Sequence, residues 1–301
     1  LKPSEYTPLS MLRMVELFHE AGLPAGVVNL VNGRGSVTGA ALVEHPGIDM
    51  VAFTGGTQTG RIIMSTAGRH LKPCILELGG KSANIIHESA DLERALDGAL
   101  ASIYSNNGQQ CLAGSRILVQ RSIADRFIAA FVERARRIRI GDPQQPETEL
   151  GPLCFREHLE RVLSYVEIAV SDGAQLLTGG RRAPGFSKGY YLEPTAVLAP
   201  SNAARICQEE VFGPFATFLV YDTVDQAIEI ANDSPYGLVA YVWAGDLDVT
   251  LRCSRDIRAG TVWVNTPMVR DLRTPFGGFK QSGVGRDGAT SSVEFFTELK
   301  T

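Results

Sequence analysis

The sequence predicts an α/β protein built on a doubly wound, largely parallel sheet. Helical apolar stripes alternate with short, wholly apolar runs, and glycine-rich turns lie at the strand-to-helix joints. An apolar content of 44% over 301 residues is enough for one or two sizeable cores.

The elements follow in order. Thr7-Pro8 is a cap followed by a first-turn proline. Leu9, Leu12, Val15 and Phe18 mark one helical face, and Gly22 with Pro24 ends the helix. Residues 26–31 read as an apolar strand, Gly33-Arg34-Gly35 as a turn, and 36–44 as a short helix. A buried strand over 50–53 runs into Thr54-Gly55-Gly56 and a helix over 57–67. A second α/β unit starts after Ser82, with a strand at 83–87, a helix at 91–105 and a strand at 116–119. A helix over 123–138 turns Phe127, Ile128, Phe131 and Val132 inward, and 159–170 repeats the helical period. Beyond it, 227–231, 238–243, 247–254 and 261–265 alternate helix and strand, between loops rich in Gly and Pro.

Composition narrows the function classes. The net charge is −4 with no long basic run, so no nucleic-acid partner is expected. Arg134, Arg136, Arg137 and Arg139 lie near a helix end, where they complement the dipole. No apolar run has transmembrane length and no leader pattern is present, so neither a membrane nor export is expected. Five scattered cysteines suit reduced thiols in the cytoplasm. Five scattered histidines give no metal-ligand spacing, so no metal is expected.

Two segments carry chemistry. Glu77-Leu78-Gly79-Gly80-Lys81 sets a carboxylate beside a flexible glycine pair, and Asn107-Gly108-Gln109-Gln110-Cys111 sets a thiol after a glycine and two amides. A thiol that attacks a carbonyl needs a base, and so does the water that later releases the acyl group. A cysteine hydrolase would use the same thiol with a histidine base, but the histidine nearest in sequence is His87 and no histidine lies in a motif. A binding protein without catalysis is the third class.

Both segments resemble the two signatures of the aldehyde dehydrogenase superfamily, in order and at close to the right separation, and the resemblance extends over nearly all 301 residues. It implies a partial Rossmann-type nucleotide-binding domain over 1–79, to which 282–301 return, and a catalytic domain over 80–281. Relative to the family, a long N-terminal stretch and a short C-terminal strand lie outside the chain. Cys111 is then the nucleophile and Glu77 the base, with the Cys111 amide as one oxyanion donor. The family's second donor is an asparagine upstream of Lys2.

For the cofactor, the resemblance implies NAD, with NADP less favoured. Lys2 and Glu5 would hold the adenosine ribose, and Thr54, Gly55, Gly56 and Leu78 would lie along the cofactor. Glu210 would grip the nicotinamide ribose, and Phe212 would pack near the nicotinamide. Gly56 stands where the family often has serine, so backbone amides take over the phosphate contact.

The loop from Asn265 to Gly278 matches the family's substrate loop. Its Arg270 and Arg273 suit a carboxylate-bearing semialdehyde of the branch that acts on aromatic ring-cleavage products. Arg273 is the first choice for the carboxylate and Arg270 the second; the alternative for Arg270 is a surface pair with Asp271 or Glu294. Phe276 is a pocket wall and Thr266 a further substrate contact. A homodimer or homotetramer is implied for the full-length protein.

Overall fold

A helix follows as expected, α1 (Leu9–Glu20), but Pro8 takes the cap position and no side chain caps the first turn, so the expected Thr7 cap does not form. A single π-helical turn, Gly35–Gly39, runs into α2 (Ala40–Glu44), followed by β1 (Val51–Thr54), α3 (Thr57–Arg69) and β2 (Cys74–Glu77). The computed structural model describes residues 1–301 as two compact units: Leu1–Phe53 with Gln58–Ile75, and Thr54–Thr57 with Leu76–Thr301. In the smaller unit Leu9 is exposed, while Leu12, Val15 and Phe18 are half-buried.

One expected element does not form there. Residues 26–31 are irregular, with Gly26 at φ 87°. Val31 N–H donates to Leu1 O at 2.9 Å and the Leu1 amino group donates to Asn29 O at 2.5 Å, a single rung that makes no strand. A strand needs a run of paired backbone groups, so its apolar residues alone do not make one.

The larger unit continues with β3 (Ala83–Ile86), α4 (Leu92–Tyr104), β4 (Arg116–Gln120), α5 (Ala124–Arg136), α6 (Arg156–Ser171), β5 (Gln175–Thr178) and β6 (Thr195–Leu198). Then come α7 (Arg205–Gln208), β7 (Phe215–Tyr221), α8 (Val224–Asn232), β8 (Tyr236–Gly237), β9 (Val239–Trp243) and α9 (Leu247–Asp256). It closes with β10 (Thr261–Val264), β11 (Phe279–Lys280), β12 (Gly283–Val284) and α10 (Ala289–Phe296). No helix is long and apolar enough to cross a membrane.

Seven strands form one sheet in the order β10-β9-β3-β4-β7-β6-β5, parallel except for the β5–β6 pair. Successive side chains alternate between its faces. Ile85, Leu118, Phe215 and Leu219 enter one core with α6, α8 and α9, whereas Ile86, Ile117, Val119 and Phe218 enter the other with α4 and α5. The expected doubly wound arrangement is thus present. Within α5, Phe127 and Phe131 are buried while Ile128 and Val132 are half-buried.

Strands β2, β5, β6 and β7 go beyond the sequence expectation. The run forming β7 is apolar without alternation because both faces of the strand are covered. Residues 282–301 belong to the larger unit, where Gly283 and Val284 pair antiparallel with Glu77 and Leu76.

The topology also decides where loops gather. Segments 78–82, 105–115 and 209–214 lead into the amino ends of neighbouring strands β3, β4 and β7. Open α/β sheets usually bind ligands beyond their carboxyl ends; here the reactive residue types converge at the opposite edge.

Candidate active site

Glu77 is the last residue of β2. Its backbone is held by β12, its carbonyl accepts from Gly55 N–H at 3.0 Å, and the next amide, of Leu78, donates to Ser282 O at 2.9 Å. The side chain is 7% exposed, and neither carboxylate oxygen has a hydrogen-bond partner. Burial, then the nearby Asp287 carboxylate, pushes its pKa up to about 7, while Arg286 and Arg270 oppose the rise. A β-carbon at Gly277 would lie 2.9 Å from Oε1, so this position has to stay bare.

These charges make a prediction about Glu77 itself. Asp287→Asn removes a repelling charge and should move the Glu77 titration to lower pH. Arg286→Gln removes an attracting one and should move it to higher pH. Difference infrared spectroscopy of the carboxyl stretch reads both shifts; movement in the same direction would refute this account of the site field.

Cys111 follows a turn in which Asn106, Asn107 and Gly108 are all left-handed, at φ 49°, 58° and 66°. Asparagine tolerates this region because its amide bonds locally. Asn106 Nδ2 donates to Gln109 O at 3.0 Å. Asn107 accepts from Gly151 N–H at 2.8 Å and donates to Pro152 O at 3.0 Å. A β-carbon at Gly108 would overlap Gly213 O. Beyond the cysteine, Tyr241 OH donates to Leu112 O at 2.8 Å.

The thiol is half-buried against the apolar cluster that contains Leu238, Tyr241, Trp263, Met268 and Phe276. Burial, then the carboxylates of Glu210 and Glu77, pushes its pKa up to about 11, against the amides of Cys111 and Leu112. The sulfur is therefore protonated at neutral pH, and a nearby base has to take its proton before it reacts.

The glycine pair after Glu77 is where three segments meet. A β-carbon at Gly79 would overlap the Glu210 carboxylate, and one at Gly80 would overlap Cys111 O. Gly80 N–H donates to Glu210 Oε1 at 3.1 Å. Burial raises the Glu210 pKa, while that bond, Arg161 and Lys81 oppose the rise. Phe212, two residues on, has φ 62°. For a bulky residue this conformation costs about 1–3 kcal/mol, and surrounding contacts must hold it.

Other expected residues are more loosely placed. Phe276 joins the cluster around Cys111, and the Arg270 guanidinium lies 4.8 Å from the Phe276 ring centroid. Arg273, 89% exposed, makes a bidentate pair with Asp271. The surface pair considered for Arg270 is thus made by Arg273. Thr266 is half-buried after β10. Of the Thr54-Gly55-Gly56 turn, the Gly55 amide is engaged by Glu77 O, and a β-carbon at Gly56 would meet nothing within 4 Å. In the smaller unit, Lys2 Nζ lies 3.7 Å from Glu5 Oε2, and Glu5 Oε1 accepts from Gly35 N–H at 3.3 Å.

Sequence reasoning missed Arg116, which is 2% exposed at the start of β4. It donates to Lys81 O, Ile230 O and Ala231 O and to Asn202 Oδ1, fixing the chain just after the glycine pair. It also missed Asp287, Arg286 and His158. None of these lies in a motif; distance in the fold is what links them to the site.

A family model described as the aldehyde dehydrogenase family matches residues 1–301. The chain is 48% identical over 293 residues to 5-carboxymethyl-2-hydroxymuconate semialdehyde dehydrogenase of Escherichia coli, covering 96% of this chain and 62% of that protein. It is 44% identical over 302 residues to betaine aldehyde dehydrogenase of Bacillus subtilis, covering 100% and 62%. Among solved structures, the NAD⁺ complex of an aldehyde dehydrogenase from Bacillus cereus superposes with a TM-score of 0.97 at 45% identity, over 100% of this chain and 61% of that one. The chain thus spans about three fifths of the length of these relatives.

Proposed function

Since the chain belongs to the aldehyde dehydrogenase family, we propose that the full-length protein oxidises a carboxylate-bearing semialdehyde to the acid with NAD. The favoured substrate is 5-carboxymethyl-2-hydroxymuconate semialdehyde. The observation that carries this reading is the packing of Gly79 against the Glu210 carboxylate and of Gly80 against Cys111 O, with the buried, unbonded Glu77 carboxylate and Glu210 both acting on the Cys111 thiol.

The residues present suit NAD. In the smaller unit, the Glu5 carboxylate keeps an acceptor for ribose hydroxyls, and its charge disfavours the extra phosphate of NADP. In the larger unit, Gly56 leaves its surroundings open and Glu210 presents a fixed carboxylate beside Gly80. When bound, NAD supplies the hydride acceptor, so that aldehyde, NAD⁺ and water become acid, NADH and a proton.

The chain's own residues do the rest. Glu77, with a pKa of about 7, takes the thiol proton and makes Cys111 Sγ nucleophilic. Sulfur attacks the aldehyde carbon, and the Cys111 amide N–H stabilises the resulting oxyanion. After oxidation the acyl group rests on Sγ as a thioester. Glu77, having released the thiol proton to solvent, then takes a proton from water, and hydroxide adds to the thioester. The acid leaves as product, and Glu77 returns its proton to the departing thiolate. Leu238, Tyr241 and Phe276 keep bulk water from the sulfur.

The arginines support an acidic substrate. The Arg273–Asp271 pair is exposed, and such pairs are weak in water, so a substrate carboxylate can replace Asp271. Arg270 stands nearer the thiol cluster and is the second candidate. Both disfavour a cation such as betaine aldehyde. A 2-hydroxymuconate semialdehyde or a general aldehyde remains the alternative within the same chemistry. A cytoplasmic location is part of the reading, because Cys111 has to stay reduced, and a homodimer or homotetramer is inferred from the family alone.

NADH formation with the acidic semialdehyde and with a neutral aldehyde of similar length tests the substrate. Arg273→Ala should lower kcat/KM for the acidic substrate by on the order of tenfold to a hundredfold and leave the neutral one unchanged. Equal turnover of both aldehydes by the unaltered protein would reject the acidic substrate and keep the chemistry.

A further inference from the structure

The Phe212 conformation raises the question of what holds it. His158, near the start of α6, is 6% exposed, and its Nε2 lies 2.6 Å from Phe212 O. A carbonyl only accepts, so Nε2 carries the proton, and this bond sets the tautomer. Burial, against the bond to Phe212, lowers the His158 pKa, which keeps the ring neutral. The rings of His158 and Phe212 also meet edge to face, at 6.0 Å and 64°, with Phe155 5.5 Å from His158 on its other contact.

The same helix grips the flanking residues. Val162, one turn on, fills the space a β-carbon at Gly213 would need, and Arg161 donates to Glu210 O at 2.9 Å. Segment 210–213 is thus held by α6 on one side, and Gly213 O meets Gly108 of the cysteine loop on the other.

We propose that His158 is a positioning residue: it holds Phe212 in its left-handed conformation and so presets the wall against which the nicotinamide packs. This rests on the NAD reading above and adds a residue that acts through Phe212.

The test uses full-length protein and two variants. His158→Phe keeps ring size and apolar packing but has no donor; His158→Gln keeps a side-chain N–H. NADH affinity is read by fluorescence titration. Hydrolysis of p-nitrophenyl acetate without nucleotide reads the Cys111 and Glu77 machinery alone. His158→Phe should weaken NADH by about tenfold, the loss of one good buried hydrogen bond, with ester hydrolysis unchanged. His158→Gln should recover most of that affinity. Unchanged NADH affinity in His158→Phe overturns the proposal. An equal loss of ester hydrolysis also overturns it, since the bond would then support the whole site. A starting protein that hydrolyses the ester but binds no NADH would sink the NAD reading and this role together; one that binds NADH but oxidises no aldehyde leaves the affinity test of His158 intact.

Discussion

Cys111→Ser is expected to lower NADH formation by the full-length protein by on the order of 10⁴-fold or more, with NADH binding and thermal stability retained. The thiol is half-buried, faces two carboxylates, and has its pKa pushed up to about 11. It reacts only when its proton passes to a base. A serine hydroxyl gives up its proton far less readily and is the weaker nucleophile, so the same base cannot activate it. Oxygen for sulfur changes the volume little, and the loop is held by Asn107, Gly108 and Tyr241 rather than by the thiol. Loss of activity with the fold intact therefore isolates the chemistry. Retention of most activity would move the nucleophile to another thiol, with exposed Cys154 the first to examine.

Glu77→Gln is expected to have two effects of opposite character. Removing the base leaves the first step to the fraction of Cys111 already ionised and slows release of the acyl group by about 10²- to 10⁴-fold, so NADH should appear as a slowed burst of one equivalent per site and then stall. Removing its negative charge lowers the Cys111 pKa, because Glu77 is one of the carboxylates that raise it. Alkylation of Cys111 by iodoacetamide should then begin at lower pH than in the unaltered protein. The unaltered protein gives the matching pH profile. A carboxylate with its pKa raised to about 7 is protonated and inactive as a base below that pH, so turnover should rise with pH through about 7. In Glu77→Gln this limb should vanish. Steady turnover without a burst, together with an unmoved alkylation profile, would show that Glu77 does not act on Cys111.

The site was legible in sequence where a short segment carries its own chemistry. Glu77 with its glycine pair and Cys111 with its preceding amides stand out because residue type and spacing within a few positions suggest a base and a nucleophile. The reason for two adjacent glycines could not be read the same way. Gly79 yields to Glu210, which is 131 residues away, and Gly80 to Cys111 O. Buried partners were equally silent. Arg116 reads as an ordinary charged residue until its donors are seen on three carbonyls and an amide oxygen. Strand β7 is an apolar run whose type depends on being covered from both sides, whereas 26–31 is a similar run with only a single rung of bonds, to Leu1.

Chain order and side-chain chemistry by themselves determined the α/β class, most helices, and the two reactive segments. Helical period, capping residues and a thiol or carboxylate in a glycine-flanked segment are local properties, set within about one or two turns of chain. Only the tertiary structure decided that these segments meet at the amino ends of β3, β4 and β7. It alone also left Glu77 buried without a bond, placed Asp287 and Arg286 within reach of its charge, and set His158 against Phe212. Burial and Coulomb interaction depend on distance in space, and the fold brings together charges that the sequence keeps more than two hundred residues apart.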